Sequence, residues 1–191
     1  MNYLAHLFLA GDQPDLIVGN FLADMVKNRY QDVLPKGVLD GIRLHRQIDS
    51  FTDAHAEVKK GMRRLYADHH KYAPVVIDIF YDYLLYQNWK RYSEETMPNF
   101  KKRVYAVLLD AFAIIPEPFQ ARTRSMVEHD WLASYSTLEG IEYTFDRLQR
   151  KVSRPEDLED CVVSLERDYE LLNEEFNRFF PEVLEMVKAF Q

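Results

Sequence analysis

Apolar residues recur every three or four positions almost from one end of this chain to the other. That spacing gathers them on one face of an α-helix, whereas a half-buried β-strand requires apolar residues at every second position. No convincing run of the second kind occurs in the sequence. The segments with helical spacing are separated by short connections, as is typical of helices that pack against their neighbours. The sequence therefore predicts an all-α fold.

Length and composition indicate one packed unit. The chain has 191 residues, of which 47% are hydrophobic and 14% aromatic, and a chain of this size buries about 70% of the surface it exposes when unfolded. That burial is enough for a core with an interior site. Because no linker, internal repeat or low-complexity segment interrupts the sequence, we expect a single domain over residues 1–191, folded as a compact bundle of many helices.

Capping residues and prolines give approximate bounds for several helices. Asn2 is suited to cap a first helix over Tyr3–Leu9, because its side-chain oxygen can accept a hydrogen bond from a free backbone amide. We expect a second helix from about residue 15 to residue 27. Pro181 is expected to separate the long last helix from a short tail, since proline lacks the backbone donor that a helix interior needs.

Charge and cysteine content exclude several classes of protein. Lys and Arg number 24 against 31 Asp and Glu, a formal net charge of −7, whereas nucleic-acid binders are usually basic. Cys161 is the only cysteine, which excludes an intramolecular disulfide and a multi-cysteine zinc site. The first residues lack the basic segment of a signal peptide, and no apolar run is long enough to span a bilayer. We expect a cytoplasmic protein that binds neither nucleic acid nor membrane; the sequence leaves its oligomeric state open.

Polar side chains suited to metal binding occur in pairs within the first 82 residues, always four positions apart on a predicted helix. A spacing of four places both members on one helix face, so that they can reach the same point. Several interrupt apolar runs, where an unpaired carboxylate is costly to bury. Imidazole and carboxylate groups from several helices can hold a divalent ion, which lowers the pKa of a bound water. The four pairs are Asn2 and His6, Asn20 and Asp24, His45 and Asp49, and Asp78 and Asp82.

Ordinary structural roles explain any single pair more simply than a metal does. Arg43 and Arg46 flank His45 and are placed to form ion pairs with Asp49 or Asp53. A lone histidine on an apolar face, such as His6, is more often a hydrogen-bonded core residue than a ligand. Periodicity shows that these side chains are able to converge and does not show that they do, so both interpretations stay open at this point.

The stretches that contain these pairs resemble the acyl carrier protein phosphodiesterase family, whose members are also called acyl carrier protein hydrolases. The similarity follows the family's order over nearly the whole chain, although the specific motifs lie in the first half. The similar stretches are residues 1–7 (MNYLAHL), 19–24 (GNFLAD) and 41–49 (GIRLHRQID), then Thr52-Asp53, Ala73-Pro74 ahead of Asp78 and Asp82, and Trp131-Leu132 with Tyr135.

The resemblance implies an all-helical fold akin to a divergent His-Asp metal phosphohydrolase, with a divalent metal site that favours Mn²⁺ over Mg²⁺ or another ion. It implies hydrolysis of the phosphodiester that joins 4′-phosphopantetheine to a serine of holo acyl carrier protein, giving apo carrier and free 4′-phosphopantetheine. Carried over by position, the metal-centre candidates are His6, Asp24, His45, Asp49, Asp78 and Asp82. The supporting residues around them are Asn2, Asn20 and Asp53.

Within this set we expect Asp24, His45, Asp49 and one of Asp78 or Asp82 to hold one or two ions. His6, Asp24 and Asp49 are the catalytic candidates, and His6 either protonates the serine leaving group or completes the metal ligands. Relatives commonly carry histidine after the aspartate that Asp82 matches, and this chain has Tyr83 there. Its phenol is a poor metal ligand, so we expect it beside the ligands as a hydrogen-bond donor.

The resemblance also implies a strongly acidic carrier protein as partner, although this chain itself carries a net charge of −7. A local basic surface has to overcome that repulsion, because charges within a Debye length matter more than the total. The sequence leaves four candidates open: Lys59, Lys60, Arg63 and Arg64; Lys101, Lys102 and Arg103; Arg122 and Arg124; and Arg147, Arg150, Lys151 and Arg154.

Two other functions remain compatible with the sequence. A metal phosphohydrolase that acts on a small phosphate ester, such as a nucleotide, needs the same ligands and no docking surface. A non-catalytic helical binding protein needs no metal, and its aspartates then pair with Arg43, Arg46 or Arg91.

Overall fold

The structure, a computed structural model, describes residues 1–26 and 28–190. Within these ranges the chain forms ten α-helices and five short 3-10 segments, and no β-strand occurs. The predicted all-α fold is confirmed. The extent of one domain over residues 1–191 stays a prediction.

The helices are numbered in chain order. They are α1 (Tyr3–Leu9), α2 (Pro14–Leu22), α3 (Lys36–Ala54), α4 (Ala56–His69), α5 (Ala73–Gln87), α6 (Trp89–Tyr92), α7 (Met97–Asp110), α8 (Glu117–Glu128), α9 (Leu138–Gln149) and α10 (Cys161–Phe190). The 3-10 segments are Asn28–Val33, His70–Tyr72, Ala111–Ala113, Trp131–Ser136 and Pro155–Leu158. No helix in the described ranges combines the length and the apolar character that crossing a membrane requires.

The two N-terminal helices differ in how well their bounds follow from sequence. The first has the predicted bounds, and the Asn2 side-chain oxygen accepts from the backbone amide of Tyr3 at 2.9 Å. The second ends at Leu22, earlier than predicted, because the amides of Met25 and Val26 both turn back to the Leu22 carbonyl. Lys27, the predicted last residue of that helix, lies outside the described residues.

Pro181 does not separate a tail from the last helix, and that prediction is wrong. Helix α10 runs without interruption from Cys161 to Phe190 with Pro181 inside it. A proline in a helix interior removes one backbone hydrogen bond. Phe180 and Val183 on either side of it are fully buried, so packing against the core holds the helix together through this position.

Helices α2 and α3 approach each other closely because glycines meet at their crossing. A β-carbon on Gly19 would lie 2.2 Å from the Val38 carbonyl oxygen, and one on Gly41 would lie 2.8 Å from the Gly19 α-carbon. Neither position has room for a side chain. This contact brings Asn20, next to one glycine, towards His45, one turn beyond the other.

Aromatic side chains from α5 and α10 form much of the core beneath these helices. The ring of Tyr81 packs against Phe176 at 5.3 Å and against Phe179 at 5.5 Å between ring centres. All three rings are fully buried. Helix α1 packs against both α2 and α5, and its buried residue His6 contacts His45 of α3.

Candidate active site

His6 of α1 meets His45 and Asp49 of α3. One ligand atom from each of the three lies within 4.8 Å of the others. The two imidazole rings are stacked, with ring centres 3.8 Å apart and planes inclined by 15°. Asp49 spans both rings: its Oδ1 lies 3.0 Å from His6 Nε2 and its Oδ2 lies 3.2 Å from His45 Nε2. Two of the four sequence pairs thus contribute to one group.

Asp24 joins this group from the turn that follows α2. Its Oδ1 lies 3.1 Å from His45 Nε2, and its side chain is 68% exposed. The early end of α2 matters here, because it puts Asp24 in a turn rather than on the helix. The carboxylate reaches out to solvent while it contacts the buried imidazole.

Asn20 sets the orientation of the His6 ring. Its side-chain amide nitrogen donates to the Leu16 carbonyl at 3.1 Å, which turns its Oδ1 towards His6 Nδ1 at 3.3 Å. The proton of a neutral imidazole then sits on Nδ1, and Nε2 carries a lone pair. Burial lowers the pKa of His6 to about 4, so the ring is neutral at pH 7.

His6 Nε2 is a buried polar atom without a hydrogen-bond partner among the described residues. The neighbouring Asp49 oxygen, 3.0 Å away, also carries lone pairs and no proton. Two such atoms repel each other unless a proton or a cation lies close to both. A buried, unsatisfied nitrogen that faces a carboxylate is the arrangement expected of a metal ligand.

His45 has the opposite charge state from its stacked neighbour. Burial lowers the pKa of His45, but the hydrogen bonds with Asp24 and Asp49 outweigh it and raise the pKa to about 9. Burial raises the pKa of Asp49, but the hydrogen bond with His45 acts in the opposite direction, and the pKa of Asp49 lies well below the usual range. The hydrogen bond with His45 lowers the pKa of Asp24. His45 is therefore either a cation between two carboxylates or, without its proton, a metal ligand.

The residues of this group fit a divalent cation. Two imidazole nitrogens and carboxylate oxygens are donors that manganese, iron and zinc accept in proteins. The unpartnered Nε2 of His6 supplies the structural sign that a ligand belongs there. Because His6, His45 and Asp49 come from two separate helices, binding also links α1 to α3.

Asp78 and Asp82 are not brought into this group; both contact the beginning of α1 instead. Asp82 is fully buried and accepts from the backbone amides of Asn2, Leu4 and Ala5 at 3.2, 2.7 and 3.1 Å. Asp78 accepts from the α-ammonium group of Met1 at 2.7 Å. Burial raises the pKa of Asp82 to about 7, although the backbone amides act to lower it. These contacts fix the start of α1, and therefore the position of His6.

Asn2, Asp53 and Tyr83 are not among the residues of this group. Asn2 caps α1 through the Tyr3 amide. Asp53 is exposed on α3, one turn beyond Asp49. Tyr83 packs edge-on against Tyr169 of α10, with ring centres 6.4 Å apart, rather than beside the two histidines.

A cavity of about 840 Å³ opens beside Asp24 and Asp78. Its far wall comes from α8, α9 and the 3-10 segment between them, and it contains Arg122, Trp131 and Arg147. Tyr3 lines the cavity as well and accepts from Arg122 Nε at 3.0 Å through its phenol oxygen. The spacing pattern gave no sign of this wall. Two signals in the sequence pointed to it. One was the family resemblance at Trp131, and the other was the presence of Arg122 and Arg147 in two of the four candidate basic groups.

Comparison with known proteins gives a consistent result. A family model described as acyl carrier protein phosphodiesterase matches residues 1–183. Proteins named acyl carrier protein phosphodiesterase from Klebsiella pneumoniae subsp. pneumoniae and Serratia proteamaculans are 29% and 28% identical to this chain, over the full length of both partners in each comparison. A protein of that name from Escherichia coli O6:H1 is 28% identical over 97% of this chain and 96% of its own length. No solved structure shows a significant match.

Proposed function

The chain belongs to the acyl carrier protein phosphodiesterase family, and we propose that it hydrolyses the phosphodiester between 4′-phosphopantetheine and a serine of holo acyl carrier protein. The products are the apo carrier and free 4′-phosphopantetheine. The partner is accordingly a protein, and the enzyme is a phosphoric diester hydrolase. The family supports the reaction, and the geometry around His6 supports the place where it occurs.

The proposed metal ligands are His6, His45, Asp49 and Asp24, and the proposed ion is Mn²⁺, with Mg²⁺ as the alternative. The observation that carries this assignment is the buried His6 Nε2, which faces Asp49 without a hydrogen-bond partner among the described residues. His6 then acts as a ligand rather than as a proton donor, because its only proton is held on Nδ1 by Asn20.

When bound, a divalent ion supplies positive charge for the phosphoryl oxygens and lowers the pKa of a nearby water. The chain's residues perform the remaining steps. Asp24 contacts His45 through Oδ1, and its Oδ2 has no partner in the described ranges. We assign that oxygen to orient the attacking water, to accept its proton and to pass this proton to the leaving serine oxygen. Asp49 fixes the two imidazole rings relative to each other, because each of its oxygens contacts a different ring.

The positions of Asp78 and Asp82 indicate that they support the metal site and do not bind the ion. Their contacts with the start of α1 satisfy both carboxylates without an ion. We propose that they act as positioning residues, which hold His6 in place through the helix that carries it. Asn20 has the same kind of role, because it fixes the ring orientation of His6 directly.

The non-catalytic alternative requires the aspartates of the group to be paired with arginines. Arg43 instead pairs with Asp40, and no ion pair links Arg46 or Arg91 to an aspartate in the described part of the chain. Among the described residues, the ion pairs of Asp49 and Asp24 are with histidines. This observation favours the enzyme.

The direct test is to incubate the purified protein with holo acyl carrier protein and to detect free 4′-phosphopantetheine by mass spectrometry. Parallel reactions contain Mn²⁺, Mg²⁺ or EDTA, and a panel of small phosphate esters replaces the carrier in a second series. We expect release from the carrier with a divalent ion and none with EDTA. Turnover of a nucleotide or another small ester in preference to the carrier contradicts the proposed substrate.

A further inference from the structure

Two arginines form cation–π contacts with one tryptophan at the wall of the cavity. The guanidinium carbons of Arg122 and Arg147 lie 5.4 and 5.5 Å from the centre of the Trp131 ring, and Arg147 also lies 5.8 Å from the centre of Tyr143. Lys151, one turn beyond Arg147, lines the same cavity. We call these five residues the Trp131 surface. Contacts of this kind hold a guanidinium in place without neutralising its charge.

The three cations of the Trp131 surface all lack an acidic partner among the described residues. Arg122, Arg147 and Lys151 form no ion pair with a described carboxylate, and Arg122 donates only to the neutral phenol of Tyr3. The other candidate basic groups are partly neutralised by the chain's own acids. Those ion pairs are Lys60 with Glu57, Arg64 with Glu175, Lys101 with Asp130, and Arg103 with Glu95. Arg154, from the same candidate group as Arg147 and Lys151, is also neutralised, by Glu156 and Asp157.

The Trp131 surface lies next to the catalytic group. It shares one cavity with Asp24, whose Oδ1 contacts His45. A molecule that contacts Arg147 or Lys151 therefore lies at the same cavity as Asp24 of the proposed metal site. Lys102 and Arg63 are exposed as well, but neither lines this cavity.

The composition of this surface is that of a protein-binding site. Tyr143 is 57% exposed, and Val75, on the opposite wall of the cavity, is 38% exposed. Arginine, tryptophan and tyrosine are the residues that carry most of the energy in protein interfaces. Arginines held against an aromatic ring also lose little conformational freedom when a partner binds.

We propose that Arg122, Arg147 and Lys151, arranged around Trp131 and Tyr143, form the surface on which an acidic face of the protein substrate docks. This inference rests on the proposed function, which makes the substrate a protein. The acidic character of the docking face follows from charge complementarity with three unpaired cations. It also explains how a chain with a net charge of −7 attracts such a partner, because local charge steers association more than net charge does.

The test measures binding separately from turnover. Fluorescence anisotropy with labelled holo acyl carrier protein gives Kd for the enzyme in EDTA, where no hydrolysis is expected. Charge reversal by Arg147→Glu and by Lys151→Glu is each expected to raise Kd by about tenfold or more at low salt. The matched control is Lys102→Glu, which makes the same change in charge at an exposed position outside the cavity. We expect it to leave Kd within about twofold of wild type.

Two further measurements keep the result clear. Arg147 packs on Trp131, so circular dichroism checks that Arg147→Glu is folded, and the exposed Lys151→Glu carries the test if it is not. Rising salt should weaken wild-type binding more steeply than binding by the variants. Equal binding by wild type and by the Arg147→Glu, Lys151→Glu double variant overturns the proposal. So does an equal loss with Lys102→Glu, or a wild type that does not bind the carrier.

Failure of the docking surface and failure of the proposed function give different results. An enzyme that releases 4′-phosphopantetheine but ignores both charge reversals contradicts the docking surface alone. An enzyme that binds the carrier through Arg147 and Lys151 but releases nothing with any divalent ion contradicts the function alone.

Discussion

The imidazole rings of His6 and His45 are stacked with their centres 3.8 Å apart, and they carry different charges. Burial keeps His6 neutral, with its pKa at about 4, whereas hydrogen bonds with Asp24 and Asp49 overcome the effect of burial on His45 and raise its pKa to about 9. Two stacked cations at this distance would repel each other strongly. In the absence of metal the proton on His45 fills the place that a cation takes when it binds, and this exchange underlies the first two predictions.

Metal binding should release a proton from His45. Because the metal-free group holds that proton up to a pH of about 9, affinity for Mn²⁺ should rise with pH between about 7 and 9. Calorimetry in buffers of different ionisation enthalpy measures the number of protons released, which we expect to be close to one. If the affinity for Mn²⁺ does not change across this range, metal binding does not displace a proton from His45.

The metal-free protein should lose stability over the same range of pH. The pKa of His45 is higher in the folded protein, at about 9, than the ordinary value of about 6.5 in an unfolded chain. Its contribution is therefore fully present below pH 6.5 and is lost as the pH rises through 9. We expect a loss on the order of 1 kcal/mol, allowing for solvent screening at the half-exposed Asp49.

Denaturant unfolding in EDTA at several pH values measures this loss. In the Asp24→Asn, Asp49→Asn double variant the histidine has no carboxylate partner, so its stability should change much less between pH 6.5 and 9. A wild-type protein whose stability rises over that interval contradicts the assigned protonation of His45.

Replacing Gly41 by alanine should push α2 away from α3. The added β-carbon would lie 2.7 Å from the Leu16 carbonyl oxygen and 2.8 Å from the Gly19 α-carbon, both of them backbone atoms that cannot move independently. We expect a loss of about 1–3 kcal/mol in the free energy of unfolding and weaker Mn²⁺ binding, because Asn20 and Asp24 move away from α3. Denaturant unfolding and calorimetry measure the two effects.

Gly61→Ala is the matched control for this change. It also places alanine in a helix interior, but the nearest atom is the flexible end of Ile77, at 2.6 Å. Its effect on Mn²⁺ affinity should be negligible. If Gly41→Ala and Gly61→Ala alter metal binding equally, the close contact of α2 with α3 does not position the ligands.

Asp82 and Asp49 should respond differently to the loss of their charge or side chain. Asp82→Ala leaves three buried backbone amides of α1 without an acceptor, so we expect metal-free stability to fall by about 2–4 kcal/mol. Asp49→Asn should leave metal-free stability far less changed and should abolish Mn²⁺ binding. Thermal unfolding in EDTA and Mn²⁺ titration separate the two effects.

The opposite pattern would assign Asp82 to the metal. An Asp82→Asn variant that unfolds like wild type in EDTA but no longer binds Mn²⁺ would make Asp82 a ligand rather than a support for α1. Because asparagine keeps one acceptor oxygen, this variant should retain part of the contact with the backbone amides.

The helical spacing predicted the fold class and the shared helix face of His45 and Asp49, but for the other pairs it indicated only that they were able to reach the same point. It could not distinguish the role of Asp49 from that of Asp82, because both residues belong to pairs with the same spacing. A buried carboxylate is satisfied equally well by a cation and by free amides at a helix start. Which of these it meets depends on the helix packed against it, and that is a long-range property of the fold.

The wall of the cavity also could not be predicted from local sequence patterns. Arg122, Trp131 and Arg147 lie on α8, on a 3-10 segment and on α9, and no local pattern in sequence reports that these three segments meet. Pro181 failed as a helix end for a related reason. Proline does tend to end a helix, but the burial of Phe180 and Val183 on either side of it outweighs that tendency.

The anomalous diffraction of Mn²⁺ in crystals of the protein shows directly which side chains hold the ion. We predict one strong peak about 2.0–2.4 Å from ligand atoms of His6, His45, Asp49 and Asp24, and loss of that peak in Asp49→Asn. A peak bound to Asp78 and Asp82 instead, or an enzyme that releases 4′-phosphopantetheine with no ion at the two histidines, would contradict this prediction.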